Sequence, residues 1–375
     1  MMMNKEQEKL PLPLLFRQEA NESLLAFCRE SARDLPWRRS VTPYRVWISE
    51  IMLQQTRAEV VRRYYDRFLA ELPTPRALAE ASDDRLAKLW EGLGYYRRAS
   101  LMKRAACVIV EKHGGELPRD YASLRALPGF GDYTAAAVAS FAYGLRAAAV
   151  DGNLLRVLAR LFRVEENVLS PKTAKTLREI AYRMLPDAKD GTNGGERYLY
   201  DGYAAAEWNQ AMMELGAQIC LPNTQPKCEK CPLSAYCIAC AEGCAERLPI
   251  RESAVTRKEE NRTVLRVTDG ERYLLHRRAN KGLLAGLYEF PNREGVLDES
   301  AVKGEVARMG FSVRSVKALA PARHVFTHLS WHLSGYEIKV DKLDPKTLPE
   351  DFFAPTFDEL YRDYSIPGAF AAYKP

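Results

Sequence analysis

Nothing in this chain reads as a membrane anchor or an export signal. A run of about 18 uninterrupted apolar residues is missing, and the most apolar region, Ala135 to Val150, is broken by Ser140 and Arg146. The opening segment MMMNKEQEKLPLPLLF carries charges of both signs and lacks the apolar centre of a secretory leader. No internal repeat is found. An excess of charge of one sign is also small: 55 basic residues against 49 acidic ones leave a formal +6, with a pI near 8.8. That balance permits a polyanionic partner without demanding one. A cytoplasmic setting is therefore expected, in which thiols stay free and structural disulfides are rare.

At 375 residues, 47% of them hydrophobic, the chain is globular throughout and too long for a single core, so two or three domains are expected. Its eight cysteines are clustered. Six lie between Cys220 and Cys244, while Cys28 and Cys107 sit singly in apolar helical contexts and read as small core residues. Seven, two and five residues separate Cys220, Cys228, Cys231 and Cys237, and Cys240 and Cys244 follow. Four thiolates in one short loop suit a tetrahedral zinc or an iron-sulfur cube, because both take soft ligands at compact spacing. Spacing alone leans toward zinc. Cys240 could replace Cys237 as a ligand, and Cys244 reads as a bystander.

The stretch LPGFGDYTAAAVASFAYGLRAAAVDGN, Leu127 to Asn153, organises the rest. Pro128, Gly129 and Gly131 interrupt a helix running in from Ala122, glycine supplying the positive torsions of a short hairpin. Helix resumes from Thr134 to Tyr143, and Asp151 follows. Bare amides at the start of a helix can hold a phosphate; an ordinary helical corner fits this stretch equally well.

Elsewhere, the first helix carries an apolar stripe of Leu24, Leu25, Phe27 and Cys28. Thr42-Pro43 opens a helix ending near Gln54-Gln55, and Thr56 can cap the next. Glu50 falls two-thirds of the way along that largely apolar helix, as either salt-bridged structure or chemistry. Helices are expected over Thr74–Ala81 and Asp83–Trp90, then from beyond the Gly92/Gly94 turn to Gly114-Gly115. Tyr95, Tyr96, Arg97 and Arg98 at that turn could stack nucleobases or simply pack. Further helices are expected over Leu154–Phe162, Pro171–Leu185 and Ala204–Ile219, with a Gly- and Asp-rich loop over 186–203. Beyond about residue 260, short β-branched and aromatic segments predict a small α/β or mostly β domain.

Taken together, SEIMLQQT, GLGYYRRA, LPGFGDYTAAAV, VDGN and the CxxC-centred loop resemble the helix-hairpin-helix DNA glycosylases, and among them the MutY-type adenine DNA glycosylases, from about residue 16 to the C-terminus. The resemblance implies an all-helical helix-hairpin-helix domain over 1–245, its hairpin at about 122–143 and its iron-sulfur loop at 220–237, then a linker over 246–260 and a MutT-like, Nudix-fold domain over 261–375. It implies a monomeric enzyme of the nucleoid that excises adenine opposite 8-oxoguanine or guanine in double-stranded DNA. It moves the metal from zinc to a 4Fe-4S cluster held by Cys220, Cys228, Cys231 and Cys237. The seven residues between Cys220 and Cys228 are one more than is usual in the family.

The same resemblance assigns roles. Glu50 matches the general acid toward N7 of adenine and Asp151 the group at the sugar, with Tyr133 and Asn153 as polar neighbours. Two such carboxylates answer the two needs of the reaction, a protonated leaving base and a steadied oxocarbenium ion. Gln55 and Tyr95 match residues that fill or wedge the duplex, Leu53 one that lines the adenine pocket, and Gly129 and Gly131 the DNA-gripping hairpin. Phe326, Thr327 and His328 stand where the family senses 8-oxoguanine, usually as Phe-Ser-His; a plain hydrophobic strand is the alternative.

Two absences sharpen this. Tyr133 occupies the position where bifunctional relatives carry a Schiff-base lysine, and a phenol forms no imine. GLLAGLYEFP echoes the start of a Nudix box, yet NREGVLDESAVKGEVARMG lacks the acidic run that binds magnesium. The rivals are an endonuclease III-like glycosylase and lyase acting on oxidised pyrimidines, disfavoured by Tyr133 and the long C-terminal domain, and a non-catalytic DNA-binding protein, disfavoured by the presence of both Glu50 and Asp151.

Overall fold

The structure, a computed structural model, describes residues 14–186, 204–252 and 257–375. From Asp187 on, the loop expected over 186–203 lies outside the described residues. The chain forms two compact units, one of residues 1–79 and 101–253, the other of 80–100 and 254–375.

In chain order the helices up to the cysteines are α1 (Leu14–Ser31), α2 (Pro36–Arg39), α3 (Pro43–Leu53), α4 (Ala58–Glu71), α5 (Pro75–Glu80), α6 (Asp83–Trp90), α7 (Arg97–His113), α8 (Tyr121–Ala126), α9 (Asp132–Tyr143), α10 (Gly152–Leu161), α11 (Pro171–Met184), α12 (Ala204–Gln218) and the short α13 (Ile238–Ala241). Capping explains the clean starts. Thr42 accepts from the Arg45 amide with Pro43 in the first turn, Ser82 and Ser170 cap α6 and α11, and Asp120 caps α8. Thr56 does not cap α4: Arg57 holds that position without a side-chain bond, and the Thr56 hydroxyl turns back to the Gln54 carbonyl at 3.4 Å.

The core of the first unit lies among α1, α10, α11 and α12, where Leu24, Leu154, Leu158, Trp208, Met212 and Leu215 are buried; Cys28 joins it as expected. α3 is buried from Val46 to Met52, so it has no polar face and Glu50 is enclosed with the rest. α9 packs against it, and its buried residues include Ala135, Ala136, Ala137 and Ala139, small side chains that let backbones approach closely.

In the second unit, β1 (Lys258–Thr268), β2 (Leu275–Arg277), β3 (Tyr288–Glu289), β4 (Asn292–Glu294), β5 (Val313–Val325), β6 (Leu329–Val340) and β7 (Phe352–Phe353) are joined by α14 (Glu299–Arg308) and α15 (Phe357–Asp363). Four strands form a mixed sheet in the order β4-β1-β6-β5, with β1 and β6 parallel, and three form a second sheet in the order β3-β2-β7. β1 starts at Lys258, inside the stretch read as linker. α6 is part of this unit: Arg277 pairs with Asp84 at 3.0 Å, Ser365 donates to the Ala87 carbonyl at 3.0 Å, and Lys374 pairs with Glu91 at 2.5 Å.

Candidate active site

Glu50, three residues before the end of the buried helix α3, is 5% exposed. Its carboxylate accepts a 2.5 Å hydrogen bond from the Tyr133 hydroxyl. Burial pushes the Glu50 carboxyl up to about 7; the Tyr133 bond pulls it down, the negative charge of Asp151 raises it, and the Arg38 guanidinium lowers it. A carboxyl in that range carries a proton to be donated near neutral pH.

Asp151 caps α10. Its Oδ1 accepts from the Leu154 amide and its Oδ2 from the Asn153 side-chain amide, both at 2.8 Å. Burial raises its pKa, while these two bonds favour the ionised form and draw it back. The two carboxylates thus sit in different surroundings: Glu50 is dry and contacts a neutral phenol, whereas Asp151 lies at the positive end of a helix. Glu50, Tyr133, Asp151 and Asn153 are brought into one electrostatic neighbourhood although they come from α3, α9 and the start of α10.

Several supporting residues escaped the sequence reading. Buried Asn209 on α12 accepts from the Ala149 amide at 2.9 Å and donates to the Ala147 carbonyl at 2.8 Å, fixing the segment that leads to Asp151. Arg38 is held by Glu214 at 2.5 Å, and Arg33 reaches the same carboxylate at 2.9 Å. Arg156 donates to Asn153 Oδ1 at 3.1 Å and to the Cys220 carbonyl at 2.9 Å, joining the Asp151 side to the cysteine loop. Charged residues inside otherwise apolar helices, as in LPWRRS and NLLRVLARLF, were the available signal.

The hairpin between α8 and α9 is fastened to the helix that carries Glu50. Phe130 is buried with its ring 5.5 Å from that of Trp47, and Gln54 donates to the Thr134 hydroxyl at 3.3 Å. Gly129 has φ +77, and a Cβ there would come within 2.9 Å of Leu101 Cβ, so both torsion and space require glycine. Gly131 differs from expectation. Its φ is −88, and it serves as N-cap of α9 with open space where a Cβ would be, so no positive torsion calls for it.

Gln55 is exposed at φ 56, and Tyr95 is 49% exposed at φ 49. Left-handed torsions in non-glycine residues cost energy and concentrate at functional positions. Leu53 is half-buried at the end of α3. Arg98, grouped with Tyr95 as a candidate for stacking bases, is instead buried and ties the turn together by donating to the Leu93 and Gly94 carbonyls at 3.0 Å. Phe326, Thr327 and His328 form the turn between β5 and β6, not strand: the Phe326 amide donates to the Leu329 carbonyl at 2.7 Å. The Phe326 ring lies 4.9 Å from Trp331, edge to face, leaving Thr327 and His328 exposed.

Cys220, Cys228, Cys231, Cys237 and Cys240 line one apolar cavity, together with Val157 and Leu161 of α10. Cys244 is buried outside it against Ala239 and Leu248. Among the described residues no three His, Cys, Asp or Glu side chains converge to hold a single metal ion. Burial raises the thiols of Cys228 and Cys237 to about 11 and that of Cys231 to about 12, with the neighbouring cysteines adding to the rise. Soft thiol donors around a cavity fit the ligand chemistry of an iron-sulfur cluster.

A helical unit with a glycine hairpin and two enclosed carboxylates, followed by a mixed-sheet unit, defines a base-excision repair protein of the helix-hairpin-helix class: residues 48–183 match the HhH-GPD superfamily of base excision DNA repair proteins, and residues 263–373 match a NUDIX domain. Adenine DNA glycosylase of Rattus norvegicus is 32% identical over 387 residues, covering 87% of this chain and 72% of the rat protein. The Homo sapiens enzyme of the same name is 30% identical over 385 residues, with 87% and 68% covered. The solved structure of a thermostable thymine-DNA glycosylase is 30% identical with a TM-score of 0.52, over 61% of this chain and 98% of that one. The chain belongs to the adenine DNA glycosylase family.

Proposed function

We propose that this protein, acting as a monomer at the nucleoid in the cytoplasm, removes adenine from duplex DNA where adenine stands opposite 8-oxoguanine or guanine, and leaves an abasic site without cutting the strand. The observation that carries this reading is the buried Glu50 carboxyl, raised to about 7 and bonded by Tyr133 at 2.5 Å, with the hydrogen-bonded Asp151 acting on it. With the base flipped out of the helix at a cost of a few kcal/mol, protonated Glu50 donates to N7 and makes adenine a competent leaving group. Ionised Asp151 steadies the sugar cation, with Asn153 holding its carboxylate in place. Glu50, now ionised, takes a proton from the attacking water. Each carboxylate accounts for roughly 10²- to 10⁴-fold in rate.

On this reading residues 1–245 hold the adenine strand, and residues 261–375, beyond a linker at 246–260, read the opposite base through Phe326, Thr327 and His328. Leu53 lines the base pocket, Gln55 and Tyr95 fill and wedge the opened duplex, and the backbone about Gly129 and Gly131 grips a phosphate. Cys220, Cys228, Cys231 and Cys237 would hold a 4Fe-4S cluster, which supplies a cross-link that closes the loop against α10. Arg156 and Arg160 fasten that loop from α10.

The test is incubation with a duplex carrying adenine opposite 8-oxoguanine, developed with alkali, for the unaltered protein and Glu50→Gln. Adenine release by the former and not the latter is expected. Absence of release from the unaltered protein would overturn the reading, and a borohydride-trapped DNA adduct would overturn its monofunctional part.

A further inference from the structure

We propose that Cys240 is an alternate ligand to Cys228, the two sharing one corner of the iron-sulfur cluster. The proposal rests on the cluster reading above and goes beyond it. Five thiols line the cavity, and a cubane takes four.

Three of the five are fixed by the main core. Cys220, Cys231 and Cys237 pack against the apolar cluster built on α10 and α12. Arg160 on α10 holds two of them: its Nη1 donates to Cys220 Sγ at 3.2 Å, and its carbonyl accepts from Cys237 Sγ at 3.5 Å. Cys228 is absent from that set and packs with Ala239, Cys244, Ala245 and Leu248, a cluster that Cys237 touches as well. The Cys240 thiol is a hydrogen-bond partner of Cys228. Cys228 also ends the seven-residue CLPNTQPKC loop, whose residues 222–225 are exposed and in which Asn223 has φ 55. Cys240 sits on α13, its amide bonded to the Cys237 carbonyl at 3.1 Å, one helical turn from a fixed ligand.

The exchange is a ligand substitution with no change of redox state. With a cluster bound, Cys240 would supply the fourth thiolate, its proton passing to solvent, wherever Cys228 gave up that place and took up a proton. Cys220, Cys231 and Cys237 with either member of the pair would make up four thiolates.

The full-length chain is prepared without oxygen as the unaltered protein, Cys228→Ala, Cys240→Ala, the double variant, and Cys231→Ala. Iron, acid-labile sulfide and visible absorbance are measured on each. Both members of the pair, substituted singly, are expected to keep about four irons per chain, whereas the double variant and Cys231→Ala lose the cluster. Loss of the cluster in Cys228→Ala, or its insolubility while Cys240 is intact, would overturn the proposal, as would retention in the double variant. Unaltered protein free of iron and sulfide would sink the cluster reading itself.

Discussion

Glu50 illustrates how burial converts an ordinary carboxyl into an acid usable near neutrality. Its pKa rises from 4.5 to about 7, chiefly because the ionised form would be desolvated. A raised folded-state value means that the native state binds the extra proton. The stabilisation from this group is therefore complete below about 4.5 and is lost as pH climbs through about 7, a change of order 3 kcal/mol across that window. Glu50→Gln removes the charge but keeps the shape, so it is expected to abolish base release while raising the melting temperature at pH 8. A lowered melting temperature there would count against the buried-acid description. Tyr133→Phe tests the partner. The Tyr133 bond holds the Glu50 value down, so its loss is expected to move the alkaline limb of the single-turnover rate profile to higher pH. An unmoved limb would show that the phenol does not act on Glu50. Both acids were readable because each lies in a distinctive short segment. Their coupling was not, since Glu50 and Tyr133 are separated by 83 positions, and nothing local records such a pairing.

The hairpin shows what an element adds to a motif. Gly129 is required twice, by φ +77 and by the 2.9 Å approach to Leu101. Gly129→Ala is therefore expected to cost about 1–3 kcal/mol of stability in denaturant unfolding. Gly131 has neither constraint. What its missing side chain offers is clear access to the first amides of α9, so Gly131→Ala is expected to unfold at nearly the unaltered denaturant midpoint while binding duplex DNA more weakly. Equal DNA affinity for the two forms would remove the phosphate-grip role from this position. Helix spans were legible from capping and glycine stops, as α6 and α7 show. Harder to see were the buried arginines. Arg38, Arg156 and Arg160 find their partners on other elements, and a lone arginine in an apolar helix reads the same whether it is paired or facing solvent. The order β4-β1-β6-β5 was illegible for a related reason: β1 and β6 pair along strands about seventy residues apart, whereas alternation identifies a strand without naming its neighbour.

At the scale of the whole molecule, the chain is not partitioned where its composition changes. Composition places the break near residue 250, yet Glu80–Ser100 clusters with the C-terminal residues. Ser365 bonds the Ala87 carbonyl, the Ile366 amide bonds Glu91 at 3.2 Å, and Lys88 donates to the Tyr364 carbonyl at 3.0 Å, so α6 is stitched to the end of the chain along its length. The same short segment continues through the Gly92–Gly94 turn to Tyr95, where the Trp90 indole and Arg98 both bond the Gly94 carbonyl at 3.0 Å. Removing everything after Ser253 would leave the Ala87 carbonyl, Lys88 and Glu91 without these partners. Hydrogen exchange at the amides of Leu86 to Leu93 is then expected to accelerate at least about tenfold in the truncated chain, while amides of α10 and α12, whose core lies in the first unit, keep their protection. On the proposed reading of Tyr95 as the residue that wedges the duplex, single-turnover base release should fall along with that protection. Unchanged exchange across Leu86 to Leu93 would mean that the segment is held by the helical unit alone, and that the C-terminal residues contribute nothing to presenting Tyr95.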